Sequence, residues 1–248
     1  METEANVELA QLDAVAWLRA LPTGSVDLLI TDPPYESLEK HRAVGTTTRL
    51  KVSAASSNPW FTVFPNERFA ELFSEVQRVL KRNAHFYLMC DPETAFIAKP
   101  IAESAGFKFW KPLVWDKCTI GMGYHYRARY EFVLFFEKGK RKLNDLGIAD
   151  VITAKRVRGG YPAEKPVALS ETLILQSSSA GDIVADPFMG SGSVGVAALQ
   201  LSRRFLGNDV SDAALARARS RFGEVGGQEG VLIPADLPGQ RRLSLVLP

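Results

Sequence analysis

Two short segments combine residue types that chemistry can use. Near the N-terminus the largely apolar run Val26 to Thr31 ends in Asp32-Pro33-Pro34-Tyr35. Paired prolines fix φ and remove N–H donors, so the Asp32 carboxylate and the Pro33 main-chain oxygen form a rigid pair of acceptors. Tyr35 adds an aromatic face. Near the C-terminus Ile183-Val184-Ala185 ends in Asp186-Pro187-Phe188-Met189-Gly190-Ser191-Gly192. A strand that ends in an acid and a glycine-rich turn, then enters a helix, is the nucleotide site of doubly wound sheets. Gly190 and Gly192 allow a tight turn and close approach of backbone to ligand. Asp209 closes a later strand about 20 residues on, where an acid takes ribose hydroxyls.

D-P-P-Y and D-P-F-x-G-S-G together resemble the amino-methyltransferases of DNA, over about Asp13 to Phe222. Having D-P-P-Y first resembles their β group. That resemblance implies an α/β fold: a doubly wound, mainly parallel sheet of about seven strands, Rossmann-like and circularly permuted. It also implies S-adenosylmethionine as cofactor and DNA as partner, with the target base flipped out. β-group relatives are often dimers, so a homodimer is possible on this resemblance. Asp186, Phe188, Gly190, Ser191 and Gly192 then hold the methionine part and backbone edge of the cofactor, and Asp209 its ribose. Asp13 matches the family's acid near the adenine, although an Asp ahead of a helix is also an ordinary N-cap. Lys165, in Glu164-Lys165-Pro166, matches a lysine near the cofactor's carboxylate end.

The resemblance makes Asp32, Pro33, Pro34 and Tyr35 the catalytic segment. An exocyclic amine on adenine or cytosine is a poor nucleophile because its lone pair is delocalised into the ring. Two fixed acceptors draw it toward tetrahedral geometry and aim the lone pair at the sulfonium methyl. Tyr35 offers a face for the extruded base. Transfer is then a direct displacement helped by alignment, with neither a metal nor a covalent intermediate. Adenine N6 is the expected target, because D-P-P-Y is more usual in relatives acting on adenine and S-P-P-Y in those acting on cytosine N4. Cytosine N4 is the alternative. RNA or protein-amide methylation usually goes with N-P-P-Y and a cofactor motif placed first. A non-catalytic DNA-binding module is the remaining rival, opposed by the intact Asp32, Tyr35, Gly190 and Gly192.

Tyr124, Tyr126, Arg127 and Arg129 interleave aromatic and basic residues, a pattern suited to phosphate contact and base stacking. Tyr130 stands where many relatives have His. A second basic region runs through Lys138, Lys140, Arg141, Lys142, Lys155, Arg156 and Arg158. It reads about equally well as a solvated face. The family's recognition segment falls at 139–161, short enough to predict a short or relaxed target sequence.

The elements that must position these groups are legible in outline. Residues 10–22, 67–81, 93–105, 166–178, 190–201 and 213–222 read as helices, and 26–31, 85–90, 107–115, 130–136, 183–185 and 204–209 as strands. Alternation of the two predicts a mainly parallel sheet covered on both sides. Residues 36–66, with Trp60 and Phe61, read as a long loop, and 137–160 as irregular. The expected division is a catalytic domain over 1–225 and a poorly packed tail over 226–248. The 248 residues suit one α/β domain, and 46% hydrophobic with 23% charged residues is ordinary globular composition. Net charge is only +2, so clustering of charge matters more than its sum. No apolar run reaches the ~18 residues of a membrane span, the acidic N-terminus does not read as a signal peptide, and Cys90 and Cys118 are isolated. A reducing cytoplasm is the expected compartment. His41, His85 and His125 lack metal-ligand spacing.

Overall fold

The computed structural model describes residues 5–37, 62–121, 125–159, 161 and 163–232. Most of the 36–66 loop, with Trp60 and Phe61, lies outside the described residues, as do Tyr124 and the tail beyond 232.

Eight strands form one sheet: β1 (Val7–Ala10), β2 (Val26–Thr31), β3 (Leu80–Cys90), β4 (Lys108–Asp116), β5 (Tyr130–Lys138), β6 (Val151–Thr153), β7 (Ile183–Asp186) and β8 (Arg204–Asn208). Their order is β1-β8-β7-β2-β3-β5-β4-β6. β5 alone runs against the rest, pairing antiparallel with both β3 and β4. The helices are α1 (Ala14–Ala20), α2 (Phe69–Val79), α3 (Pro92–Ser104), α4 (Val167–Ser177), α5 (Ser193–Gln200) and α6 (Asp212–Glu224). The first three cover one face and the last three the other, giving two apolar cores.

β2 shows how an unbroken apolar run serves both cores. Val26 and Leu29 belong to the α1–α3 side, Leu28 and Ile30 to the α4–α6 side. From Leu28 to Ile30 the alternation follows the two-residue period of a strand buried on both faces, and an irregularity in the pairing with β3 between Val26 and Leu28 puts Val26 on the side of Leu29. β7 and β2 lie side by side in parallel, Leu28 opposite Val184 and Leu29 opposite Ala185. From β7 the chain passes through α5 to β8 on one side, and from β2 through α2 to β3 on the other. The C-terminal ends of β7 and β2 therefore flank a switch point, where doubly wound sheets open a ligand crevice. Both motif segments leave the sheet there.

Two short strands were absent from the sequence reading. β1 lies ahead of the helix expected over 10–22 and overlaps it only at Ala10, and α1 starts only at Ala14. β6 lies within the stretch read as irregular. The tail also differs over its described part. Gly230 donates to the Val7 carbonyl at 2.8 Å and Leu232 to the Glu8 carboxylate at 2.7 Å, so residues up to 232 run along β1. Among the described residues no helix is long and apolar enough to cross a membrane, and no group of three or more His, Cys, Asp or Glu has an arrangement that could hold a metal ion.

Candidate active site

A cleft of about 290 Å³ opens at the switch point, and both motif segments line it. Its cofactor-side wall is the turn after β7. Gly190 and Gly192 have φ of +50° and +78°, the left-handed region that favours glycine. A Cβ on Gly192 would stand 2.6 Å from the Phe222 ring, whereas one on Gly190 would meet nothing closer than Tyr161 at 3.8 Å. Gly192 is thus needed for packing under the turn, and Gly190 leaves backbone open toward the cleft. Asp209, just past β8, accepts from the Gly190 N–H at 2.9 Å and from the Ser211 N–H at 2.9 Å. Burial raises its carboxyl above the ordinary range, while these two N–H groups pull the other way.

Asp186 is buried, and one of its oxygens accepts from the Thr31 hydroxyl at 2.9 Å and the Phe188 N–H at 3.0 Å. Those bonds tie the ends of β2 and β7 together. Burial pushes the Asp186 carboxyl up to about 8. Asn208, also buried, stitches three segments: its amide donates to the Leu12 and Pro187 carbonyls at 3.0 and 3.1 Å and accepts from the Leu12 N–H at 3.0 Å. Nothing in the sequence reading singled it out.

Asp13 caps α1, accepting from Val15 and Ala16 N–H, and lines the cleft. Arg68 holds both its oxygens, at 2.7 and 2.9 Å, and these bonds keep the carboxyl below its ordinary range. The Arg68 guanidinium lies 5.0 Å from the centre of the Phe64 ring, which meets Phe188 edge-on at 5.1 Å. Phe64 N–H donates to the Pro34 carbonyl at 2.7 Å, and Asn66 makes two 2.9 Å bonds to the Glu36 carboxylate. Residues 64–68 are thereby fastened to the D-P-P-Y segment, a contact invisible in a sequence where a long loop intervenes.

Asp32 and Tyr35 line the facing wall of the cleft. Tyr35 is 7% exposed, and burial raises its hydroxyl well above the ordinary value. No hydrogen bond from the described residues falls on the Pro33 carbonyl. Asp32 Oδ2 meets Lys165 Nζ at 2.5 Å, and Lys165 also stands 3.3 Å from Glu131. Glu131 in turn meets Lys117 at 2.6 Å. Asp32 Oδ1 is buried and has no hydrogen-bond partner among the described residues. Burial raises the Asp32 carboxyl; Lys165 pulls it down and Glu131 pushes it up. Lys165, expected beside the cofactor's carboxylate, thus has its ammonium against Asp32. Neighbouring Glu164 meets Arg221 at 3.4 Å, and Arg221 donates to the Ser191 carbonyl and hydroxyl and to Ser193 at 2.9, 3.0 and 3.1 Å. Arg221 was another residue the sequence reading missed, since only the fold brings α6 under the turn.

The aromatic–basic segment divides. Tyr126 is fully exposed. Arg127 donates through Nε to the Gly121 carbonyl at 2.7 Å, and its other nitrogens carry none of the described hydrogen bonds. Arg129 is engaged with Asp116 by two bonds of 2.7 and 2.8 Å.

A cleft with a glycine turn, an acid after the adjoining strand and a D-P-P-Y segment opposite is what a base-amine methylase needs, and the family model described as DNA methylase matches residues 26–219. The chain belongs to that N6/N4 DNA methylase family. The chain is 28% identical over 239 residues to the DNA adenine methyltransferase YhdJ of Escherichia coli K12, covering 80% of this chain and 76% of that protein. Two solved structures share the fold. The TTHA0409 DNA modification methylase of Thermus thermophilus, complexed with S-adenosylmethionine, superposes with a TM-score of 0.67 at 20% identity over 92% of this chain and 100% of that one. The cytosine-N4-specific PvuII DNA methyltransferase gives 0.70 at 16% identity over 92% and 95%.

Proposed function

We propose that the protein transfers a methyl group from S-adenosylmethionine to the N6 amine of adenine in DNA. The observation that carries this reading is Asp32 Oδ1, a buried acceptor with no hydrogen-bond partner among the described residues, in the same cleft as the glycine turn. An unpaired buried acceptor costs free energy unless a ligand donor satisfies it. An amine N–H is such a donor, and the Pro33 carbonyl supplies the second acceptor the chemistry requires. Tyr35 stacks on the flipped base. The turn from Asp186 to Gly192 holds the methionine end of the donor, and the lone pairs that Asp209 retains face its ribose. Adenine is favoured over cytosine by D-P-P-Y and by the adenine-specific relative. The β-group order of motifs supports a circularly permuted arrangement.

The test is incubation with unmethylated DNA and S-adenosylmethionine, digestion to nucleosides and mass spectrometry. N6-methyladenine is expected; N4-methylcytosine would change the base, and no methylated nucleoside would overturn the reading. Asp32→Ala should abolish the product while calorimetry finds donor affinity nearly intact. An equal loss of donor affinity would remove Asp32 from the amine.

A further inference from the structure

Asp32 ends a half-buried row of alternating charge that the chemistry described so far leaves unexplained. Lys165 lies between Asp32 Oδ2 and Glu131, and Glu131 lies between Lys165 and Lys117. Four separate segments supply the row: the residue after β2, the segment before α4, β5, and the residue after β4. The Trp115 ring lies beneath both ammonium groups, 5.5 Å from Lys117 and 5.8 Å from Lys165. Trp115 itself is buried and fixed by a 2.7 Å bond from its indole N–H to the Ala154 carbonyl. Water is therefore excluded from one side, where Coulomb interactions act more strongly than in solvent.

We propose that Glu131 is a positioning residue for methyl transfer: as a second carboxylate facing Lys165 it offsets the lysine's charge and keeps Asp32 able to take the proton the amine sheds. This inference rests on the function proposed above. In the transfer the nitrogen lone pair forms a bond to the methyl carbon, and the carbon–sulfur pair stays with sulfur. The methylated amine then carries one proton too many. Its N–H bond breaks and the proton passes to Asp32 Oδ1. A carboxylate locked in a full ion pair with lysine is too weak a base for that step. A second carboxylate 3.3 Å from that lysine opposes its charge and restores basicity, while the ammonium still anchors Asp32. It also leaves Lys165 with a counter-ion once Asp32 becomes neutral.

The direction of each influence agrees with this. Glu131 raises the Asp32 carboxyl, and Lys165 and Lys117 lower it. Burial pushes Glu131 itself up, yet Lys165 and Lys117 outweigh it and keep Glu131 ionised. Burial opposes the charge on Lys165, and the two carboxylates together hold it protonated. Asp186 faces Asp32 from β7, Tyr35 from its own segment, and Cys90 from the end of β3, where the neighbouring Asp91 acts on Tyr35 and Cys90. Burial keeps Tyr35 and Cys90 neutral. Asp91 is occupied by Ser37 at 2.7 Å and by the Thr94 N–H at 2.8 Å.

The experiment is an NMR titration of protein carrying 13C-carboxyl aspartate, the Asp32 signal being identified by its loss in Asp32→Asn. Glu131→Gln should lower the Asp32 midpoint by about one pH unit, the scale of a neighbouring-charge effect. Lys117→Met should raise it, because Glu131 then turns wholly to Lys165. This second variant lies at the outer end of the row and tests the inference if Glu131→Gln fails to fold. The single-turnover rate of methyl transfer to unmethylated amplified DNA should show its acid limb moving in the same two directions, with S-adenosylmethionine affinity within about twofold of wild type. Midpoints that stay put, or move together, in an enzyme that methylates DNA overturn the role of Glu131. A wild-type protein that transfers no methyl to DNA overturns the DNA reading, and the proton-acceptor role falls with it.

Discussion

Asp186 shows how a residue recognised from its motif acquires a property only the fold reveals. Its place before the glycine turn was legible, but its burial and its bond from Thr31, 155 positions away, were not. The same holds for Lys165 and Asp32, or Arg68 and Asp13. Each residue carried a signal, and each pairing depended on which strand ends the sheet brings together. For Asp186 the consequence is a pH dependence of stability. Its carboxyl titrates near 8 in the fold against an ordinary value of 3.8, so the native state binds the proton more tightly. Stability from this group is complete below the ordinary value and is lost as pH rises toward 8. Asp186→Asn keeps an oxygen for the Thr31 and Phe188 donors and places an amide where the protonated oxygen stood. The variant should therefore gain on wild type as pH rises from 6 to 8, by at most about 1.4 kcal/mol per pH unit. Urea denaturation at the two pH values measures this. An equal difference at both would mean Asp186 is ionised in the fold.

The long elements were readable because their periods are clear: α2 buries Phe69, Leu72, Phe73 and Val76, the spacing of one helical face. The two unread strands are short, at four and three residues, and stand at opposite edges of the sheet. Few side chains there carry a period, and partner strands decide their conformation. α2 also ends sooner than its pattern suggested, because Leu80 remains buried as the first residue of β3. Turn and helix meet most tightly at Gly192. Its positive φ resists a side chain, and a Cβ would stand 2.6 Å from Phe222 and 3.1 Å from Ala218. Gly192→Ala should destabilise the protein by about 1–3 kcal/mol and weaken donor binding through the displaced turn. Gly192→Ala with Phe222→Leu should recover only part of the loss, since the backbone strain persists. Thermal melts of the three proteins decide this; full recovery would assign the whole cost to the clash.

At the scale of the molecule, strand direction sorts the basic residues that the sequence presented as one region. β5 runs away from the cleft, so Lys138 to Lys142 lie at the opposite end of the sheet. There Lys138 donates to the Gln77 and Leu80 carbonyls, and the Lys140 N–H to the Asn83 side chain near the start of β3. β6 runs toward the cleft, parallel to β4. Lys155, Arg156 and Arg158 leave it on that side and are exposed, ahead of Tyr161 and Lys165 in the cleft wall. Exposed Arg127 stands at the same end, before β5 begins. On the proposed function, a duplex that delivers a base to Asp32 is expected to lie over this end, with its phosphates against the second group and not the first. Replacing Arg156 and Arg158 together by Gln should weaken binding to DNA of any sequence and reduce the slope of log affinity against log salt by about 0.9 for each phosphate no longer neutralised. Lys140→Gln with Lys142→Gln removes the same charge from the far end and should leave the slope unchanged. Fluorescence anisotropy across a salt series compares the two pairs directly. Equal losses in both would mean that net charge, not placement on the sheet, governs how this protein holds DNA.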